Sequence, residues 1–411
     1  YSIVLHSNGY QYFNKLQKDS SRYQLLVAFG AEDVIRPDNN HFNKLRDAIN
    51  CNDWLFGFLG YDLKNEIENL KSENFDGLEF PELLFFRPSV VFAVENDLLK
   101  IHYSKKSFNR QSAQELFNSI MNAPCINKSD EHKVLLKERY TKNEYLNTVN
   151  KVMEHIQRGD IYEMNLCQEF YASPCKINPF KSYVNLNNLS PTPFSAFGKL
   201  NDKYLLCASP ERFLRKIGNR VVSQPIKGTS PRGMTPEEDK ELQEKLRNDP
   251  KERAENIMIV DLVRNDLSRI AQKNTVNVDE LCGAYPFKQV NQLISTVSCI
   301  ANKNYDIVDI LKATFPMGSM TGAPKVSAMK LIEKYERSKR GLYSGAVGYI
   351  DPQGDFDFNV VIRSILYNET QQYLSYTVGG AITNASVPEK EYSECMLKAK
   401  AINEVLKILN R

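Results

Sequence analysis

Apolar and polar positions alternate along this chain in short blocks, not in long runs. In the first third, "YQLLVAF" (23–29), "WLFGFLGYDL" (54–63) and "LLFFRPSVVFAV" (83–94) are rich in aromatic and β-branched residues and separated by polar segments, which predicts strands. The polar segment "NKSDEHKVLLKERYTKNEY" (127–145) is the best boundary, giving regions 1–130 and 131–411. After it, Leu146, Val149, Val152, Met153 and Ile156 recur at helical spacing, and the pattern stops at Gly159. An extended stretch (160–173) follows, then strands "SAFGKL" and "YLLCASPERFLRKI" turning at Asn201-Asp202, and a second hairpin at Gly218-Asn219. Helices are expected over roughly 251–272 and 388–409. "FPMGSMTGAPK" (315–325) reads as a glycine-bearing loop opening a helix, with Pro324 in the first turn. "SGAVGYID" and "FDFNVVIRSILYN" turn at Pro352-Gln353-Gly354, and a third strand ends at Gly379-Gly380. Hairpins interrupted by long helices imply an α+β fold on antiparallel sheet.

Composition narrows the function. The 411 residues are 42% hydrophobic and 25% charged, enough for a large core. Lys plus Arg number 53 against 50 Asp plus Glu, a net charge of +3, which gives no reason to expect nucleic acid or an anionic membrane as partner. No apolar run nears the roughly 18–20 residues that cross a bilayer, and "YSIVLHSNGYQYF" lacks a secretory-signal pattern. The eight cysteines form no CxxC pair, so a reduced, cytoplasmic protein is expected. No histidine follows His155, so chemistry in the C-terminal part must rely on carboxylates and lysines for proton transfer.

Four stretches carry candidate chemistry. "SQPIKGTSPRG" sets Lys227 between Pro225-Ile226 and Gly228-Thr229, more local constraint than a solvent-facing lysine needs, although a strand end with an outward lysine has the same pattern. Glu252 and Glu255 share one helix face, as do Glu391, Glu394 and Lys398. These are either solvated faces or, if the helices converge, the carboxylates that Mg²⁺ takes along with waters. "SPERFL" puts Glu211 at a strand end, where burial raises a carboxyl pKa as a general acid requires, unless it is a surface pair with Arg212. "TVGGAIT" offers backbone N–H groups to an anion, or only a tight bend.

Taken together, "DIYEMNLCQEF", "SPERF", "PIKGTSPRG", "ERAENIMIVDLVRNDL", "FPMGSMTGAPK", "GLYSGAVGYID", "VVIRS", "VGGAIT" and "EYSECMLKAKA" resemble, in order and spacing, the chorismate-utilising enzymes. That family includes the large subunits of anthranilate and aminodeoxychorismate synthases and the isochorismate and salicylate synthases. The likeness is strong over about 140–410 and loose before it, through "FGFLGYDL". It implies two facing antiparallel sheets with helices packed outside, the two regions interleaving in one unit.

The resemblance also implies roles. Glu255 and Glu394 hold Mg²⁺, with Glu252 and Glu391 in support. Tyr343, Arg363, the Gly379-Gly380 backbone and Lys398 hold the two substrate carboxylates, with Ser319 and Thr229 beside them. Glu211 is the general acid/base. Gln168 stands where isochorismate and salicylate synthases carry a water-activating lysine, and Gln292 where many relatives have histidine. Anthranilate synthases usually have a small residue at the position of Lys227, whereas aminodeoxychorismate synthases carry a nucleophilic lysine in "PIKGT". The expectation is therefore amination of chorismate to 4-amino-4-deoxychorismate in folate synthesis, with Lys227 deprotonated by burial beside Arg232. Ammonia would come from a separate glutamine amidotransferase subunit. The alternatives are anthranilate synthase and a non-catalytic relative that binds a similar ligand. Some relatives bind tryptophan in the N-terminal third.

Overall fold

The computed structural model describes residues 1–10, 21–124 and 134–406. The boundary placed at 130 and the last turn of the helix expected to 409 lie outside the described residues. Two antiparallel sheets form the core of an α+β fold with ten α-helices among the described residues. The first sheet has eleven strands, one of which, Lys137–Glu138, pairs with Glu163–Ala172 off the main path. It runs from Gly322–Ala323 through Glu163–Ala172, Tyr373–Ile382, Ser364–Asn368, Lys203–Ser209 and Phe194–Leu200 to Ser2–His6, Leu25–Phe29, Val90–Glu95 and Leu98–Tyr103. The second has ten, from Ile226–Pro231 through Val290–Ile300, Arg220–Gln224, Arg212–Ile217, Phe356–Asn359 and Ala346–Ile350 to Leu55–Leu59, Leu83–Arg87 and Asp33–Ile35, with Asn277–Pro286 paired to Val290–Ile300 off this path. Strands from before residue 125 thus extend one end of each sheet.

The expected hairpins form with tight loops: Leu200 pairs with Lys203, and Ile217 with Arg220. Asn201 and Gly218 take the positive φ angles, 63° and 54°, that such turns require. Three runs expected to be single strands are instead each broken into two, and the halves belong to different sheets. The breaks fall at Pro88-Ser89, at Pro210-Glu211 and at residues 360–363. Proline removes a ladder donor, and at corners of this kind one chain serves both sheets. The last two crossovers are joined, since Val360 N–H donates to the Glu211 carbonyl and Ala208 N–H to that of Arg363.

Between the sheets lies a core drawn from both, including Leu205, Cys207, Phe213, Val221, Val297 and Phe358. A second core fills the space between the first sheet and helices Lys142–Gln157, Lys325–Tyr335 and Pro388–Val405. Helix Pro250–Ser268 starts with an Asp249 side chain accepting from Glu252 N–H and with Pro250 at its first position. Six helices went unread in the sequence: His41–Ile49, Lys64–Glu68, Arg110–Met121, Pro179–Leu189, Pro236–Asn248 and Ile307–Thr314.

Arg212 locks the second sheet. Its guanidinium meets Asp357 in a fork, both contacts at 2.9 Å, and also donates to Gln224. Both side chains are almost wholly buried, so Arg212→Ala strands a buried carboxylate and should cost about 3–5 kcal/mol. A clearly lowered melting midpoint is expected; an unchanged one would show that Asp357 is solvated.

Candidate active site

At one end of the two sheets a cleft of about 840 Å³ opens to solvent. It is lined by Lys227, Glu211, Arg363, Tyr343, Ser319, Thr229, Gln292, Gly379, Gly380 and Lys398, and by the four carboxylates Glu252, Glu255, Glu391 and Glu394. All the site residues expected from sequence gather here except Gln168.

Lys227 sits at a register shift between Ile226 and Thr229, and Gly228 makes that bulge with φ of 100°. A Cβ on Gly228 would come within 3.1 Å of Glu252 Oε2 and 3.0 Å of Leu293. The glycine therefore lets the strand close on helix Pro250–Ser268, and Asn256 fastens it by donating to the Lys227 carbonyl. The lysine points inward, with its Nζ 3.0 Å from Glu163 Oε1. Arg232, expected beside it, instead pairs with Asp239 at 2.8 Å and donates to the Phe287 carbonyl. The direction of the lysine shift is consequently reversed. Burial pulls its pKa down, but Glu163, Glu255 and Glu211 outweigh burial and hold it above the usual lysine value.

Glu211 and Arg363 occupy the two sheet crossovers described above. Burial raises the Glu211 carboxyl to about 7, against the opposing pull of Ser319, whose hydroxyl donates to Oε1 at 2.6 Å, and of Lys227. Arg363 holds φ of 52°, an uncommon conformation for arginine, and burial lowers its pKa to about 10. Tyr343 is buried with its hydroxyl 3.5 Å from Cys167 Sγ. The oxygen of the Gln292 side chain is buried without a hydrogen-bond partner. Gly379 and Gly380 lie within a strand, not at its end, and close packing requires the first of them: a Cβ on Gly379 would fall 2.4 Å from the Leu166 carbonyl oxygen. Lys398 donates to the Gly379 carbonyl at 2.9 Å and pairs with Glu394 at 2.7 Å.

Helices Pro250–Ser268 and Pro388–Val405 do converge, each presenting two carboxylates to the cleft. Burial raises Glu255 to about 7 and raises Glu252 and Glu391, while Lys398 lowers Glu394. The Lys251 ammonium lies 3.7 Å from Glu255 and 3.6 Å from Glu391. Among the described residues no three acidic or imidazole groups form a ready-made metal cluster. Yet Glu255 Oε1 is buried without a hydrogen bond among the described residues, Glu252 raises Glu255, and Glu394 raises Glu252 and Glu391. That donor set suits Mg²⁺, which is held by one or two carboxylates together with waters and a substrate anion.

The sequence profile of the chorismate binding enzymes matches residues 11–404. The chain belongs to this family. Anthranilate synthase component 1 of Aquifex aeolicus is 34% identical over 369 residues, covering 86% of this chain and 74% of the relative. Aminodeoxychorismate synthase component 1 of Bacillus subtilis is 33% identical over 362 residues, covering 86% and 76%. Among solved structures, anthranilate synthase component I from Streptococcus pneumoniae shares the fold with a TM-score of 0.82 at 26% identity, over 94% of this chain and 92% of its own. No helix among the described residues is long and apolar enough to cross a membrane.

Family membership makes the strand Glu163–Ala172 the one to reread. Side chains alternate across a strand, so Glu163, Asn165 and Cys167 face the cleft side, where they meet Lys227, the Ser319 backbone and Tyr343. Gln168 falls on the other face with Met164, Leu166 and Phe170, beneath the helices, with neither side-chain polar atom hydrogen-bonded. It is not a cleft residue. Glu163, Asn165 and Lys251 are cleft-side residues that sequence reasoning missed; the polar–apolar alternation of "EMNLC" was the available signal for the first two.

Proposed function

We propose that this chorismate-utilising enzyme replaces the C4 hydroxyl of chorismate by an amino group, giving 4-amino-4-deoxychorismate. The observation that carries this reading is Lys227, a buried amine inside the cleft with a protonated-range carboxyl, Glu211, lining the same space. In the first step the Lys227 amine bonds to C2, both ring double bonds shift (C1=C2 to C1=C6, C5=C6 to C4=C5), and the C4–O bond breaks. Glu211 gives its proton to the departing oxygen, which leaves as water. Ammonia then bonds to C4, both double bonds shift back, and the bond between C2 and the Lys227 nitrogen breaks.

Arg363, Tyr343 and Lys398 are suited to orient the two substrate carboxylates, Arg363 as a planar fork kept charged even when buried. Gln292 supplies a hydrogen-bonding amide where an imidazole is not available. Glu255 and Glu394, backed by Glu252 and Glu391, would hold Mg²⁺. Bound there, the ion would neutralise a substrate carboxylate that the four acids otherwise repel. Chelation should therefore abolish turnover, and Mg²⁺ should restore it; activity unaffected by a chelator would remove the metal from this reading. The ammonia source is proposed to be a separate glutamine amidotransferase subunit, in keeping with the component 1 name of the Bacillus subtilis relative.

Anthranilate synthesis is the second reading, favoured by the equal similarity to relatives of that name. Product analysis by liquid chromatography and mass spectrometry separates the two. Chorismate, MgCl₂ and ammonium should yield 4-amino-4-deoxychorismate; anthranilate would overturn the proposal and establish the second reading.

A further inference from the structure

The reaction proposed above needs Lys227 without its extra proton, yet the cleft is arranged to keep that proton in place. Four carboxylates act on the ammonium: Glu163, Glu211 and Glu255 raise its affinity for the proton, and Glu394 feels its charge in return. Among the described residues, the other cations at these groups are Lys251, beside Glu255, Lys398, beside Glu394, and Arg363, facing Glu211. A nucleophile held charged needs an acceptor within hydrogen-bond reach. Glu211 cannot serve, because it must itself be protonated to release the C4 oxygen. Glu255 and Glu394 belong to the proposed cation site. Glu163 remains, with Oε1 at 3.0 Å from Nζ and a side chain only 1% exposed.

Two further features suit Glu163 to the task. Its Oε2 is buried with no hydrogen-bond partner among the described residues, so one oxygen of the carboxylate is left without a donor. Its backbone is fixed, since Glu163 pairs with Ala323 in the sheet, and a Cβ on Gly322 would fall 2.2 Å from the Glu163 carbonyl oxygen. Moving the proton across this pair turns two charges into two neutral groups and so relieves their desolvation.

We propose that Glu163 is the proton acceptor of Lys227, taking one proton from the ammonium before the amine bonds to C2 and returning it when the amine leaves. This inference rests on the reading of Lys227 as nucleophile. The protons balance over the cycle. Glu163 takes one from Lys227; the lysine nitrogen, bonded to C2, then carries a positive charge; Glu211 loses its proton to the departing water. When ammonia adds at C4, Lys227 leaves as a neutral amine and recovers its proton from Glu163. Glu211 recovers its own from the new C4 ammonium. The sum is chorismate plus ammonia giving aminodeoxychorismate plus water.

The test compares wild type, Glu163→Gln, Glu163→Asp and Lys227→Ala between about pH 6.5 and 9, with free ammonia held constant. Product formation is followed, and in the absence of ammonia intact-protein mass reports the covalent adduct of chorismate less water. The ratio of variant to wild-type rate cancels the Glu211 ionisation that both share. Glu163→Gln should be about 10²–10⁴-fold slower near neutrality, with a ratio that climbs as pH rises, because its lysine must lose the proton to solvent. Glu163→Asp keeps a carboxylate and should restore a flat ratio at reduced rate. A Glu163→Gln ratio that is flat and within about threefold of unity, while Lys227→Ala is inactive, overturns the role of Glu163 alone. Lys227→Ala that aminates as fast as wild type overturns the nucleophile reading and this inference with it. Should Glu163→Gln fail to fold, Glu163→Asp decides: a flat ratio supports the acceptor, and a climbing one overturns it.

Discussion

Lys227→Ala should lose amination of chorismate by about 10³-fold or more at saturating substrate. Removing the nucleophile of a hydrolase costs on the order of 10⁶ in kcat; here some direct addition of ammonia to a bound and oriented chorismate remains open, so a smaller loss is expected. The lysine's positive charge is also part of the site, pairing with Glu163 and pulling on Glu394, so loss of activity alone does not separate chemistry from binding. Lys227→Arg does. It keeps a cation opposite Glu163 but offers a guanidinium too weakly nucleophilic to attack carbon. Both variants should be inactive and should lack the covalent adduct by intact-protein mass, whereas the KM of Lys227→Arg should stay nearer the wild-type value. Activity retained by Lys227→Arg would mean that the residue acts only through its charge.

The frame around Lys227 was legible because its causes are local. Gly228 is required by a bulge and a close helix, and Pro225 ends the preceding run; such constraints are written in neighbouring residues. The two acidic helix faces were equally legible, since i, i+3 spacing places Glu252 with Glu255 and Glu391 with Glu394 whatever surrounds them. Their convergence was not, because it depends on which sheet strands lie between the helices.

Strand parity explains the error at Gln168. Every second residue of "EMNLCQEF" faces the cleft, but both faces of this strand are buried, so no solvent-facing polar row marks the register. A resemblance placed one position wrong in parity moves a side chain from the cleft to the helix layer. The same limit hid the sheet crossovers. In "YLLCASPERFLRKI" and "FDFNVVIRSILYN" apolar residues lie on both sides of the break, and nothing in them states that the halves join different sheets. Yet those breaks are what aim Glu211 and Arg363 into the cleft. The misplaced Arg232 has another origin: five residues along a strand exceed the reach at which sequence nearness implies contact, and Asp239 on the following helix captures it.

The crossover at Glu211 carries the second large effect. Glu211→Gln is expected to slow amination by about 10²–10⁴-fold, the usual worth of a positioned general acid. The amide still accepts from Ser319 at nearly the same geometry, so binding should change little and the loss should fall on kcat. The pH dependence follows from the sign of the shift. Burial raises the carboxyl to about 7, so the form able to donate to the C4 oxygen predominates below that value and disappears as pH rises through it. Wild-type kcat/KM, measured at constant free ammonia, should fall on the alkaline side of about 7, and this limb should be absent from what remains of Glu211→Gln. Ser319→Ala removes the donor that stabilises the anion, which raises the carboxyl further and should move the limb to higher pH. A limb that persists unchanged in Glu211→Gln would assign that ionisation to another group and take the acid role from Glu211.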